Sequence, residues 1–178
     1  MEVTIEITDT CPHECSYCST NAESRCKHIL EVSDVKYFLD GIKDPITRIN
    51  ISGGEPLSHP FFITILQLCE TYTPNVWVYT NALKQIMYNT DVVKEIRVEA
   101  NVCLTPGKEV YIPKNADKVH LLQLIPQGRA KDMKPANIAV SSNLIPEKKA
   151  EHDCAHCGHV LLQANRKVVE SPCKKCYE

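Results

Sequence analysis

The chain has 178 residues, 43% hydrophobic and 24% charged, with net charge −2, a composition that predicts one hydrophobic core and room for a small appendage. No run approaches the ~20 apolar residues needed to cross a bilayer. The opening MEVTIEITDT has neither a basic start nor an apolar signal-like stretch, so a cytoplasmic protein with no membrane partner is expected.

Ten cysteines without a secretory signal point to metal ligation in a reducing compartment rather than to disulfides. Charge divides unevenly, with net −5 over residues 1–125 and +3 over 126–178. The mildly basic C-terminal third suits contact with nucleic acid or an acidic partner, and an ordinary solvated face equally well.

In chain order, Val3 to Thr8 is the first predicted strand, followed by CPHECSYC, which places Cys11, Cys15 and Cys18 in a C-x3-C-x2-C loop. Cys26 and His28 follow in a polar stretch and are read as loop positions without a special role. Val32 to Ile42 has helical spacing at Val32, Val35, Phe38, Leu39 and Ile42, with Ser33 as the expected cap. Ile46 to Ser52 is the second strand, and Gly53-Gly54-Glu55-Pro56 leads into a helix predicted over His59 to Tyr72. Its apolar stripe includes Phe62, Ile65, Leu66 and Cys69, so Cys69 reads as core.

Val76 to Thr80 is a third strand ending at Asn81, Ala82 to Asn89 a short helix, and Ile96 to Asn101 and Lys118 to Leu124 the fourth and fifth strands. A sixth runs through Ile138 to Val140. The connections after the fourth and fifth strands, rich in Pro and Gly, show no helix. The alternation predicts an α/β fold, a partial parallel β/α barrel of about six strands with one thin side. Reactive groups gather at the C-terminal ends of such strands, and the motifs fall there.

At the end of the chain, Cys154, Cys157, Cys173 and Cys176 give C-x2-C-x15-C-x2-C, a metal-site spacing. Two apolar runs around Ala164-Asn165-Arg166 predict a hairpin that brings the pairs together in a small β ribbon, with zinc the first choice and a second iron–sulfur cluster the rival. Four thiolates fill a tetrahedral shell, so His152, His156 and His159 are read as outer-shell or solvent-exposed. The polar run SNLIPEKKAEHD suggests a boundary near Glu147, giving domains 1–146 and 147–178.

Three thiolates on one short loop can hold three irons of a four-iron, four-sulfur cubane and leave the fourth iron open. A zinc knuckle or a set of ordinary buried cysteines is the rival for an isolated triplet. With Gly-Gly-Glu-Pro one βα unit later, the loop resembles that of the radical S-adenosylmethionine (radical SAM) superfamily. The resemblance implies that Cys11, Cys15 and Cys18 ligate a 4Fe-4S cluster, that Gly53, Gly54 and Glu55 hold the amino end of S-adenosylmethionine, that Pro56 stiffens the turn, and that Tyr17 meets the adenine. Ser52, Asn81, Glu99 and Asn101 are candidates for ribose hydroxyls and the cofactor carboxylate, though cap or turn roles suit each as well. Arg129, in QGR after an apolar strand, suits a carboxylate or phosphate, or a surface turn. Gln123 sits where it could point inward. Cys103 is a candidate hydrogen-atom donor or a structural thiol.

The activity implied is reductive cleavage of S-adenosylmethionine, fed by a flavodoxin- or ferredoxin-like reductant, with hydrogen abstraction from a substrate. A macromolecule, RNA or protein, is preferred; a small polar metabolite is the alternative. Oxygen sensitivity follows from the cluster. A non-catalytic electron carrier or binding module would leave Gly-Gly-Glu-Pro unexplained.

Overall fold

The computed structural model describes residues 1–18, 20–25, 27–81, 99–104, 117–123, 129, 132 and 159–170, with 99–104, 119–123 and 170 as backbone alone. The chain divides into two units. The first comprises Met1–Cys15, Thr20–Gln85 and His152–Glu178, the second Ser16–Ser19 and Ile86–Glu151.

The first unit is built on β1 (Glu2–Glu6), α1 (Val32–Asp40), β2 (Arg48–Ser52), a 3-10 turn (Pro56–Ser58), α2 (Phe62–Glu70) and β3 (Val76–Val78). β1 and β2 run parallel with Glu2 opposite Arg48 and Glu6 opposite Ser52, and β3 lies parallel to β2. Each connection between these parallel neighbours carries a helix, as parallel pairing requires. Val3, Ile5 and Ile7 alternate with polar residues along β1 and share a face with Ile49 and Ile51; all five are inaccessible. The other buried apolar side chains include Val35 and Leu39 of α1 and Phe62, Ile65, Leu66 and Cys69 of α2. Burial pushes the Cys69 thiol up to about 12, so it is an inert core residue, as its helical spacing predicts.

The helix boundaries differ from the periodicity in small, explicable ways. α1 starts at Val32, but Glu31, not Ser33, occupies the cap position, and its N–H donates to the Asp34 carboxylate at 2.9 Å. A carboxylate in the first turn satisfies an orphan donor and complements the helix dipole. α2 begins three residues after His59, which precedes Pro60 and has an extended backbone (φ −72°, ψ 128°). His59 is buried, its Nε2 2.9 Å from the Leu30 carbonyl and its Nδ1 accepting the Phe61 N–H at 3.0 Å.

The predicted C-terminal hairpin exists, as β6 (His159–Leu162) and β7 (Val168–Glu170), antiparallel around Gln163–Lys167. The Arg166 N–H returns to the Gln163 carbonyl at 2.9 Å, and Arg166 has φ 66°, the left-handed residue of a three-residue hairpin loop. The hairpin is part of the main sheet. β6 lies parallel to β1, Glu2 opposite His159 and Ile5 opposite Leu162, giving the order β3-β2-β1-β6-β7. β1 thereby gains ladder partners on both edges, and Leu161 and Leu162 are buried. Arg166 also reaches the Asp34 carboxylate through Nε and Nη2 at 2.9 and 2.8 Å, tying the hairpin turn to α1. His159 is tied to the sheet, its Nε2 lying 2.7 Å from Thr4 Oγ1.

The second unit contains β4 (Glu99–Leu104) and β5 (Lys118–Gln123), a parallel pair with Glu99 opposite Lys118 and Leu104 opposite Gln123. β5 falls where the sequence predicts it, while β4 extends three residues beyond the predicted end. The predicted helix over 82–89, the strand at Ile138–Val140, and Cys26, His152, His156, Cys154, Cys157, Cys173 and Cys176 lie outside the described residues. No helix among the described residues is long and apolar enough to cross a membrane.

Candidate active site at the C-terminal ends of β1 and β2

Beyond β1, residues 7–10 run beside the Gly-Gly-Glu segment that leaves β2. The Ile7 N–H donates to the Ser52 carbonyl at 3.1 Å, Gly54 N–H to Thr8 at 2.6 Å and Glu55 N–H to Thr10 at 2.7 Å. This crossing explains both glycines. Gly53 has φ 132°, and a Cβ there would stand 2.3 Å from the Thr8 carbonyl oxygen; one on Gly54 would stand 2.1 Å from that of Thr10. No side chain fits at either position.

The cysteine loop leaves from this crossing and is pinned at its return. The Cys11 N–H donates to the Glu23 carbonyl at 2.6 Å, and the Leu30 N–H to Ile7 at 3.0 Å. The Asp9 carboxylate takes the Lys27 and His28 N–H groups, each at 3.0 Å, and the His28 ring at 2.7 Å. Desolvation, the largest influence on Asp9, raises its pKa, and the His28 and Lys27 bonds together outweigh it and hold the carboxyl below its ordinary value. His28 therefore has a structural part that the sequence did not reveal. Cys11 and Cys15, in the first unit, and Cys18, in the second, are outside any disulfide and partly exposed. Among the described residues no group of three or more His, Cys, Asp or Glu is gathered around a single metal position.

Glu55 faces inward. It is 2% exposed, and its carboxylate accepts from the Leu57 N–H at 3.0 Å, the Thr80 hydroxyl at 2.6 Å and the Asn81 N–H at 2.8 Å. It caps the 3-10 turn, with Pro56 at the turn's start, and braces the chain leaving β3. Asn81 in turn points its side-chain amide at Cys11 Sγ, 4.0 Å away. Thus Ser52, Gly53, Gly54, Glu55, Pro56, Asn81 and Cys11 are brought together. In the second unit, the Arg129 N–H donates to the Cys18 carbonyl at 2.9 Å, so Arg129 and the end of the cysteine loop meet through backbone; Tyr17, next to Cys18 in the chain, is partly buried. Glu99 opens β4 and so lies at its N-terminal end, Asn101 falls mid-strand, and Cys103 comes nearest the C-terminal end.

Sequence reasoning missed the polar face of the sheet. Glu2, Thr4 and Glu6 of β1 share it with Arg48, Asn50 and Ser52 of β2 and with His159 of β6. Its lower part is a polar network: Glu2 pairs with Arg48, Asn50 Nδ2 donates to Glu2 at 2.7 Å and lies 3.3 Å from Thr4 Oγ1, and the Arg48 guanidinium sits 5.5 Å over the Trp77 ring. Desolvation raises the Glu2 pKa, and the bonds from Arg48 and Asn50 more than reverse it. Glu6, partly buried on the same face, has no such donor among the described residues, and burial pushes its carboxyl up to about 7. The available signal was the alternation itself, since a parallel strand covered on both faces normally reads as a continuous apolar run.

A group whose folded pKa is raised favours folding in its protonated form, and that contribution is lost as pH rises through the folded value. Glu6→Gln is therefore expected to be more stable than wild type at pH 8, by about 2 kcal/mol after allowance for solvent access, and nearly equal to it at pH 5. Urea unfolding at the two pH values measures this; equal stability at pH 8 would contradict it.

A scan against protein-family models matches residues 5–119 to the Radical SAM superfamily, a stretch running from β1 through the cysteine loop and the Gly-Gly-Glu-Pro crossing into β5. No curated protein matches the chain. Because the family match covers more than half of the chain and contains both motifs that the fold interlocks, the chain belongs to the radical SAM superfamily.

Proposed function

We propose that this protein is a radical SAM enzyme whose cluster is held by Cys11, Cys15 and Cys18 and whose substrate is a macromolecule. The observation that carries the reading is the crossing at the strand ends, where the Gly54 and Glu55 N–H groups bond residues 8 and 10 immediately before Cys11. The donor set fits the group. Three partly exposed thiols on one loop, none in a disulfide, suit a cubane, and because they would bind three separate irons they need not converge on one position. When bound, such a cluster supplies one electron to the sulfonium of S-adenosylmethionine, which yields methionine and a 5′-deoxyadenosyl radical able to remove hydrogen from a substrate.

This chain's own residues bind and orient. With the Glu55 carboxylate committed to Leu57, Thr80 and Asn81, the backbone of Gly53 and Gly54 receives the amino end of the cofactor, and Glu55 fixes that backbone. The Asn81 amide lies against Cys11, where an N–H near a cluster sulfur raises its reduction potential. Ser52 and Asn101 are offered to the ribose or carboxylate, Tyr17 to the adenine, and Arg129 to an anionic group. Glu99 is the weakest member of the set. A flavodoxin- or ferredoxin-like protein supplies the electron.

A small polar metabolite is the second reading, favoured by the hairpin's place in the main sheet, which leaves less of the chain to act as a separate basic arm. To decide, 5′-deoxyadenosine release by the reduced protein is compared with cell macromolecules and with the small-molecule filtrate of the same extract. Stimulation by the macromolecules, abolished by nuclease or protease, is expected; stimulation by the filtrate alone would replace the reading. Cys154, Cys157, Cys173 and Cys176 are assigned a structural zinc. Metal analysis of anaerobically purified protein should give about four irons and one zinc, whereas about eight irons and no zinc would assign a second cluster.

A further inference from the structure

Glu2 and Glu6 are four residues apart on β1 and share one face of the sheet, yet their surroundings are opposite. Every charged group that faces them from the packed strands lies low on that face. Arg48 of β2 pairs with Glu2, and His159 of β6 bonds Thr4 and stands 4.0 Å from Glu2. Asn50, 3% exposed, directs its donors to Glu2 and Thr4. Nothing in this set turns toward Glu6, which has no hydrogen-bond or ion-pair partner among the described residues.

At its own level Glu6 faces Ser52 across the strand pair. Immediately after these two positions, Ile7 and Thr8 meet the Ser52–Gly54 backbone. The carboxyl therefore sits on the last rung before the crossing that the proposed function assigns to the cofactor. Leaving it partly buried and unpaired costs stability, and sheets close such a cost with a donor when they can, as this one does at Glu2. Unpaired, perturbed carboxyls next to a reaction centre are where fold stability yields to binding.

We propose that Glu6 is a substrate-recognition residue that accepts two parallel N–H donors from an amidine-type edge, either a guanidinium or the amino–imino edge of an aminated heterocycle. The inference rests on the proposed function for its location, and it narrows the substrate class. Two carboxylate oxygens meet a planar pair of N–H groups with two aligned bonds, which an ammonium, compact and strongly hydrated, does not match. Ser52 can add one further hydrogen bond at the edge. Such a ligand favours the ionised carboxyl, so binding lowers its midpoint and releases a proton.

The test uses the full cluster-reconstituted chain labelled with 13C at the glutamate δ-carbon, the Glu6 signal being the one lost in Glu6→Gln. Its pH midpoint is followed alone and with methylguanidinium, with the neutral heterocycle isocytosine, and with tetramethylammonium, which carries charge but no N–H. A midpoint lowered by about one unit or more, tenfold in the proton equilibrium, by methylguanidinium or isocytosine but not by tetramethylammonium is expected; whichever of the two acts identifies the source of the edge. A midpoint that neither donor moves, or that tetramethylammonium moves equally, overturns the proposal. Release of 5′-deoxyadenosine by the same wild-type preparation tests the enzyme reading separately, since the carboxyl titration does not depend on it.

Discussion

Gly54→Ala is expected to abolish cluster loading and S-adenosylmethionine cleavage together. The added Cβ would stand 2.1 Å from the Thr10 carbonyl oxygen and 2.9 Å from the Asp9 carbonyl carbon, backbone atoms that no rotamer can clear. Either the crossing opens, breaking the Gly54–Thr8 and Glu55–Thr10 bonds, or the chain holds it at a cost of about 3 kcal/mol. An opened crossing displaces the start of the cysteine loop relative to the Gly-Gly-Glu backbone, and a 1 Å misplacement is worth roughly 100-fold in rate. Iron per chain and the initial rate of 5′-deoxyadenosine release are the readouts. An alanine variant with wild-type iron and a rate within about threefold of wild type would show that the crossing is not what joins the two motifs.

Glu55 gives the second large effect, and it separates two roles. If the carboxylate is a brace, Glu55→Ala leaves the Leu57 and Asn81 N–H groups and the Thr80 hydroxyl without their acceptor beside a side chain that is 2% exposed. A loss of about 3 kcal/mol is expected, with Glu55→Gln losing roughly half as much because its amide N–H₂ must face a donor. Released from Glu55, Asn81 also leaves Cys11, and the cluster potential should become more negative. If Glu55 instead served chiefly to bind the cofactor's amino group, Glu55→Gln would fold as stably as wild type and lose only affinity for S-adenosylmethionine. Denaturant unfolding beside equilibrium binding of the cofactor distinguishes the two.

The parts of the molecule that are local in sequence were legible. α1 and α2 announce themselves by apolar spacing, β1, β2 and β5 by short apolar runs, and the hairpin by two such runs around Ala164–Arg166. The cysteine triplet and Gly-Gly-Glu-Pro were legible as chemistry, and the family match includes both. What escaped depends on pairing between distant segments. Nothing within His159–Leu162 specifies β1 as its partner, so the hairpin was assigned to a metal ribbon rather than to the main sheet. The inward turn of Glu55 depends on Thr80 and Asn81, twenty-five and twenty-six residues away. The isolation of Glu6 depends on where Arg48, Asn50 and His159 spend their donors, which only the register of three strands decides.

The same register shows how stability and function are divided along β1. Its N-terminal half carries a polar network that fixes strand alignment, because a slip of one residue would place Glu2 and Thr4 in the apolar layer and Val3 and Ile5 on the polar face. Within that network Arg48 Nε and Asn50 Oδ1 are buried without a hydrogen-bond partner among the described residues. The C-terminal end of β1 carries Glu6, unpaired among the described residues, the Gly-Gly crossing and the start of the cysteine loop. Burial also lowers the His59 pKa, although the Leu30 carbonyl and Glu31 oppose it. That neutral imidazole contributes stability that is lost as pH falls below the ordinary histidine value.

The most direct test of the central claim is anaerobic incubation of the reconstituted, dithionite-reduced protein with S-adenosylmethionine, with 5′-deoxyadenosine and methionine measured together. Equal amounts of both, lost in Cys11→Ala, Cys15→Ala and Cys18→Ala alike, are the predicted result. Full iron content with neither product formed would contradict the assignment of this site to radical chemistry.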